Sequence, residues 1–280
     1  MHKMKTSVTV AILLAAAATG SASAASCGNT GDGFQQWVQA FKAEAQAQGV
    51  SARTAEAALG NVSYDRNLIA FDRNQKVFKQ SFEQFSARMA SNARVNGAKS
   101  RMARYGAVLQ RTEQRTGVPA PVILAIWGLE TDFGQVQGKK PVFNGLATLA
   151  YDCRRTEMFQ RELIAAMKIV DRGDLTMSEM RGAAHGELGQ AQFLPSSYLK
   201  FATDGDGDGR RDLVRSGADT IASIGSYLQG YGWRAGGGWQ EGSANFGVFK
   251  EWNRSSVYQR TIALLATKIA AATGYSSAGR

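Results

Sequence analysis

The chain has 280 residues, 44% of them apolar, and carries 33 Lys and Arg against 23 Asp and Glu for a formal net charge of +10. Such a surface draws polyanions, whether nucleic acid, anionic lipid or anionic cell-wall polymer, or serves solubility alone. Two histidines and two cysteines leave no cluster for zinc, and His185 has no nucleophile-elbow sequence to support a Ser-His-Asp triad, so carboxylates, amides and aromatics must carry any chemistry.

The first residues read as an export signal. His2, Lys3 and Lys5 make a basic start, Val8 to Ala18 is apolar but too short to span a bilayer, and Ala22-Ser23-Ala24 is a small-x-small cleavage site. Cleavage after residue 24 leaves 25–280, expected to form one compact unit with helical subdomains. It removes two lysines and no acids, so 31 basic and 23 acidic side chains give +8. The alternatives are an uncleaved anchor, or a lipid on Cys27, although Ala24-Ala25-Ser26 lacks the usual Leu. Export argues against nucleic acid as the partner. In an oxidising compartment Cys27 and Cys153 suggest one disulfide; two separate buried thiols are the alternative.

Helical periodicity dominates the rest, and strand signals are few, so the fold is read as mainly α. Phe34, Trp37, Val38, Phe41 and Ala45 make one apolar face, and Val77, Phe78, Phe82, Phe85 and Met89 another. Residues 97–116 look like a polar-faced helix ending at Gly117. Pro119 and Pro121 start the next helix, where a missing backbone donor does no harm. Further helices are expected around Phe159, Leu163, Met167 and Val170, around Ile221, Ile224 and Leu228, and around Ile262, Leu265 and Ile269. Gly-rich stretches at 134–145 and 230–247 read as loops that could hold one short hairpin.

Four segments carry chemistry. Glu130 lies in the apolar run Val122 to Gly134, and its helical neighbours Ile126, Trp127, Phe133 and Gly134 offer no cation. A carboxyl desolvated in this way keeps its proton, as a general acid must. The bland alternative is a buried acid paired with a distant Arg. Gly128 and Gly134 let something approach closely beside it. Gly186 to Tyr198 mixes glycines, amides, an aromatic and hydroxyls, which suits a sugar-binding wall or a loop leading to a helix capped near Ser196. Glu187 is the nearest second carboxylate, expected to be solvated. Asp204, Asp206, Asp208, the Arg210 carbonyl and Asp212 occupy the ligand positions of an EF-hand-like calcium loop, while Arg215 stands where the last acid belongs. Asn245 to Tyr258 offers Trp252, Asn253 and Tyr258 as aromatic and amide contacts.

Together these segments resemble the lytic murein transglycosylases of the membrane-bound type B group. The likeness spans roughly residues 34–272. It rests on Gly117-Val118-Pro119, Trp127 to Thr131 with Phe133-Gly134, and Leu146 to Leu149 with Arg154-Arg155. It continues through Gly189 with Gln192 to Tyr198, the Asp-Gly loop, Gly232-Trp233, Asn245-Phe246, Trp252 to Ser255 and Tyr258. The resemblance implies a lysozyme-like α+β catalytic domain. It implies cleavage of the β-1,4 bond between N-acetylmuramic acid and N-acetylglucosamine in peptidoglycan glycan strands, giving a 1,6-anhydromuramic product; the export signal puts this in the periplasm, and a monomer is expected. It assigns the catalytic acid to Glu130 and glycan contacts to Gln192, Tyr198, Trp252, Asn253 and Tyr258, with calcium as a structural ion and no organic cofactor. Two positions depart from the family. Ala183-Ala184-His185 replaces a Ser-aromatic-Ala run and puts a hydroxyl contact in doubt, and the calcium loop lacks its last acid. The competing readings are a muramidase that uses water, with Asp132 or Glu187 as second carboxylate, and a non-catalytic peptidoglycan-binding protein.

Overall fold

The computed structural model describes residues 26–74 and 80–276. The export signal and the apolar positions Val77 and Phe78 lie outside the described residues. In chain order the helices are α1 (Phe34–Ala47), α2 (Ala52–Leu59), α3 (Arg66–Arg73), α4 (Phe82–Met89), α5 (Asn92–Thr116) and α6 (Ala120–Thr131), followed by α7 (Val142–Tyr151), α8 (Thr156–Asp171), α9 (Pro195–Phe201), α10 (Gly217–Gly230), α11 (Phe249–Trp252) and α12 (Ser256–Thr273). Two short strands, β1 (Lys140–Pro141) and β2 (Arg181–Gly182), pair antiparallel. The expected hairpin inside a Gly-rich stretch is therefore corrected: the strand at 140–141 finds its partner beyond α8.

The helix signals work through caps and faces. Ser51, Ser81, Ser91, Ser216 and Ser255 each accept the backbone N–H three residues on, satisfying an orphan donor of α2, α4, α5, α10 and α12. The Ser91 cap starts α5 at Asn92, ahead of the boundary expected at Gly97, because residues 92–96 offer only Val95 as a large apolar marker. Gly117 ends α5 in the left-handed region at φ 71°, where a side chain would be strained. The apolar face read for α1 is buried in full. Trp37 and Phe41 stack at 4.8 Å, and Phe34, Tyr64 and Tyr151 extend the cluster.

α6 occupies the centre, packed by α5, α10 and α12. It is apolar on every side, as a helix enclosed on all sides must be. Every one of its residues is buried except Glu130. Cys27 and Cys153 form a disulfide, so the thiol that a lipid would need is engaged. Gly28 N–H donates to the Tyr151 carbonyl at 2.9 Å beside it.

Candidate active site

Glu130 ends the central helix with its carboxyl turned into a cleft. The residue reaches solvent in part, but the carboxyl itself lies between Trp252 and Tyr258. Trp252 Nε1 donates to Oε1 at 2.7 Å and the Tyr258 hydroxyl donates to the same oxygen at 2.6 Å. Desolvation raises the Glu130 pKa above the usual carboxylate range; the two donors oppose that rise, and the charge of Glu187 adds to it. The distant-Arg alternative fails here, since neutral donors hold the acid. Both bonds fall on Oε1, so neither donor engages Oε2.

After Glu130 the chain turns back sharply. Asp132 and Phe133 both adopt positive φ, 48° and 61°. Asp132 pairs with Arg94 at 2.7 Å and does not line the cleft, which removes it as a second carboxylate. The two glycines beside the acid make room for the protein itself. A methyl group on Gly128 would stand 2.9 Å from the Phe133 ring, and one on Gly134 would stand 2.3 Å from Gln190 Oε1.

A cavity of about 440 Å³ opens in front of Glu130, lined also by Ala183, Glu187, Gln192, Ser197, Trp252 and Asn253 among others. The loop before α9 builds one wall. Leu188 and Phe193 exchange backbone bonds at 2.8 and 3.1 Å, and Gln190 ties the loop to α6 by accepting from Trp127 Nε1 at 3.1 Å and, at its carbonyl, from Thr131 Oγ1 at 2.6 Å. The amides of this segment thus divide. Gln190 is buried and structural, whereas Gln192 lines the cavity at a strained φ of 50°, its Nε2 bonded to the Gly189 carbonyl at 2.7 Å. Glu187, expected in solvent, is half-buried and faces the same cavity as Glu130.

The structure sorts the remaining expected contacts. Trp252 and Asn253 line the cavity; Asn253 Oδ1 accepts the Ser255 N–H at 2.9 Å. Tyr258 stands behind the acid as its donor, outside the cavity lining. Tyr198 is corrected from glycan contact to core. It is 0% exposed, and its hydroxyl donates to the Arg211 carbonyl, pinning the acidic loop. The cap expected near Ser196 is likewise corrected: Leu194 holds the cap position of α9, and the Glu162 carboxylate accepts from Ser196 N–H at 2.8 Å and Oγ at 2.7 Å. His185 turns away from the cavity, with Nε2 3.0 Å from Asp72 Oδ1, and Arg154 and Arg155 clamp that aspartate.

The acidic loop gathers a different set from the one its spacing suggests. Asp204, Asp206 and Asp219 bring carboxylate oxygens within 4.8 Å of one another. Asp219, in the first turn of α10, was not among the expected ligands. Asp208 falls outside this trio, its Oδ1 accepting the Arg210 N–H at 2.8 Å. Asp212 is corrected too. It is buried, accepts the Val214 and Arg215 N–H groups, and holds Arg215 Nε at 2.5 Å. The Arg210 side chain donates to the Asp174 carbonyl at 3.0 Å. Arg215 turns to Asp212 and Glu179, away from the trio. Three oxygen ligands gathered against their mutual repulsion fit a hard cation such as calcium.

Comparison with known proteins bears on the family and the fold. Residues 33–243 match the transglycosylase SLT domain. The membrane-bound lytic murein transglycosylase B of Escherichia coli is 36% identical over 133 residues, which is 47% of this chain and 37% of that protein's length, so the chain aligns with little more than a third of that relative. SltB3 of Pseudomonas aeruginosa, solved in complex with NAG-anhNAM-pentapeptide, superposes with a TM-score of 0.79 at 30% identity, covering 84% of this chain and 79% of that one. The Escherichia coli lytic transglycosylase Slt35, solved in complex with calcium, superposes at 0.74 with 22% identity over 89% of this chain and 97% of that one. The mainly helical, lysozyme-like fold expected from the sequence is the fold of these structures. With the domain match spanning most of its length, the chain belongs to the transglycosylase SLT domain family.

Proposed function

We propose that this protein is a peptidoglycan lytic transglycosylase that cleaves the β-1,4 bond between N-acetylmuramic acid and N-acetylglucosamine and leaves a 1,6-anhydromuramic end. One observation carries the reading: the only residue of α6 that is not buried is a carboxylic acid, its pKa raised by desolvation and its side chain fixed through a single oxygen by Trp252 and Tyr258. Glu130 gives its proton to the glycosidic oxygen as the bond breaks. The substrate's own N-acetyl group stabilises the oxocarbenium-like carbon, the substrate-assisted route that dispenses with a protein nucleophile. Glu130, now a carboxylate, takes the proton of the 6-hydroxyl as that oxygen closes on the anomeric carbon. Gln192, Trp252 and Asn253 are the side chains that would touch the glycan. The complex of SltB3 with an anhydro muropeptide supports the product assignment.

Residues 25–280 act as one catalytic unit in this reading, supported by a continuous core from α1 to α12. The disulfide and the net positive charge suit a monomer in the periplasm meeting an anionic wall polymer. No helix of the described residues is long and apolar enough to cross a membrane. Asp204, Asp206 and Asp219 would hold calcium, which would fasten the loop to α10 and take no part in the chemistry; the calcium complex of Slt35 supports this.

A second reading, the water-using muramidase, gains from one observation: Glu187 lies in the same cavity as Glu130. Digestion of purified sacculi followed by mass spectrometry of the released ends separates the two. Anhydro ends are expected. Ends heavier by one water would replace the transglycosylase with the muramidase, and no release at all would leave a glycan-binding protein.

A further inference from the structure

The cavity holds more charge than the proposed reaction uses. Glu130, Glu187 and Glu251 all line it. Glu251 is exposed, so water screens it. Arg94, on α5 near Tyr258, is engaged by Asp132 at 2.7 Å and by the Gly128 and Met89 carbonyls at 2.9 and 2.6 Å. Tyr258, on α12, is a neutral donor to Glu130. Glu187 differs from all of these. It is half-buried, and its Oε2 accepts the His185 N–H at 3.2 Å while His185 Nδ1 lies 4.0 Å from Oε1.

His185 is itself anchored. Its Nε2 meets Asp72, which is buried and clamped by both Arg154 and Arg155, and its ring stacks on Phe159 at 6.4 Å. The arginine pair, Asp72, His185 and Glu187 thus form one chain of contacts that ends in the cavity. Its final link also closes the loop, because the Glu187 carbonyl accepts the Ala183 N–H at 2.9 Å. These contacts seat a second carboxylate in the cavity that Glu130 faces.

We infer that Glu187 is a second working carboxylate of this cavity, a positioning residue that acts on Glu130 and on the reacting sugar through its charge. The inference rests on the transglycosylase reading and deepens it. Before reaction a negative charge at Glu187 disfavours a second one at Glu130, so the acid keeps the proton it must donate. As the glycosidic bond breaks, positive charge grows on the anomeric carbon, and a fixed anion in a partly desolvated cavity stabilises it. No bond to Glu187 forms at any step, and the proton ledger stays with Glu130.

The test measures kcat and KM against pH on soluble peptidoglycan fragments, with product ends identified by mass, for the wild type, Glu187→Gln, Glu187→Asp and Glu130→Gln. Glu187→Gln is expected to lower kcat about tenfold with little change in KM and to move the alkaline limb down by about one pH unit. Its products remain anhydro, and Glu187→Asp, which keeps the charge, restores the limb. A Glu187→Gln enzyme with the wild-type limb, or one changed in KM alone, overturns the inference while leaving Glu130 in place. Should Glu187→Gln fail to fold, Glu187→Asp decides, since a wild-type limb with lowered kcat supports the charge role and a shifted limb refutes it. Hydrolysed ends from the wild type would instead refute the transglycosylase reading, and this inference with it.

Discussion

Glu130, the single carboxyl of α6, and Asp204 of the acidic loop have surroundings that push them in opposite directions. Glu130 has apolar neighbours and two neutral donors, and burial raises its pKa. Asp204 is partly exposed and accepts the Gly207 and Gly209 N–H groups at 2.6 and 2.8 Å, which lower its pKa. One environment favours the protonated form of its carboxyl and the other the charged form. At these two positions burial and backbone donors act on the same functional group in opposite senses, while Asp219, the third carboxylate of the acidic trio, is itself raised by burial.

The sharpest way to break this contrast is at Glu130. Glu130→Gln keeps the shape and loses the transferable proton, so release of anhydro fragments from sacculi should fall by about a thousandfold while glycan binding persists. Turnover within tenfold of wild type would remove Glu130 from the mechanism.

Calcium tests the other side. At a hundredfold excess over its dissociation constant, a ligand specific to the folded state adds about 2.7 kcal/mol, visible as a rise in thermal midpoint. That rise should disappear in Asp219→Asn and survive in Asp208→Asn. If instead Asp208→Asn abolished it and Asp219→Asn did not, the trio would be the wrong ligand set.

Tyr258→Phe sharpens the proton side. Its hydroxyl bond favours the charged form of Glu130, so its loss should move the alkaline limb of kcat/KM upward, opposite to Glu187→Gln, with a fall in rate of about tenfold. A downward shift would contradict the assigned direction of that bond.

The smallest effect concerns stability. A carboxyl whose pKa is raised on folding contributes stability that is complete below the ordinary Glu value and is lost as pH rises through the raised value. Glu130→Gln escapes this loss. Its thermal midpoint should exceed the wild type's at neutral pH, and the gap should close below the ordinary Glu value. Equal pH dependence in the two proteins would show that the acid is not desolvated.

Much of this was legible in the chain. Helix faces and the apolar setting of Glu130 are local patterns, and local patterns survive folding. What the sequence could not show was distance. The donors to Glu130 lie 122 and 128 residues away, so Trp252 and Tyr258 read as glycan contacts. Asp219 lies past the end of a loop counted by EF-hand spacing and looks like an ordinary acid in a helix's first turn, next to its Ser216 cap. Tyr198 misled for the opposite reason: hydroxyls and amides around an aromatic suggest a sugar platform, yet α9 packs that ring inward. Gln190 and Gln192 are indistinguishable on paper, and only the Trp127 bond tells the fastener from the wall.

The bridge between Cys27 and Cys153 has a mechanical consequence. It closes a ring that includes α6 and Glu130 but leaves out the residues that hold the acid, Trp252 and Tyr258. Tension pulled from one end of the chain to the other crosses directly from sulfur to sulfur, so the ring, whose ends are 126 positions apart and whose backbone could extend roughly 400 Å, stays out of the load path. Under such a pull only the segments outside the ring, α8 to α12 among them, can extend, and the acid helix stays inside a closed loop.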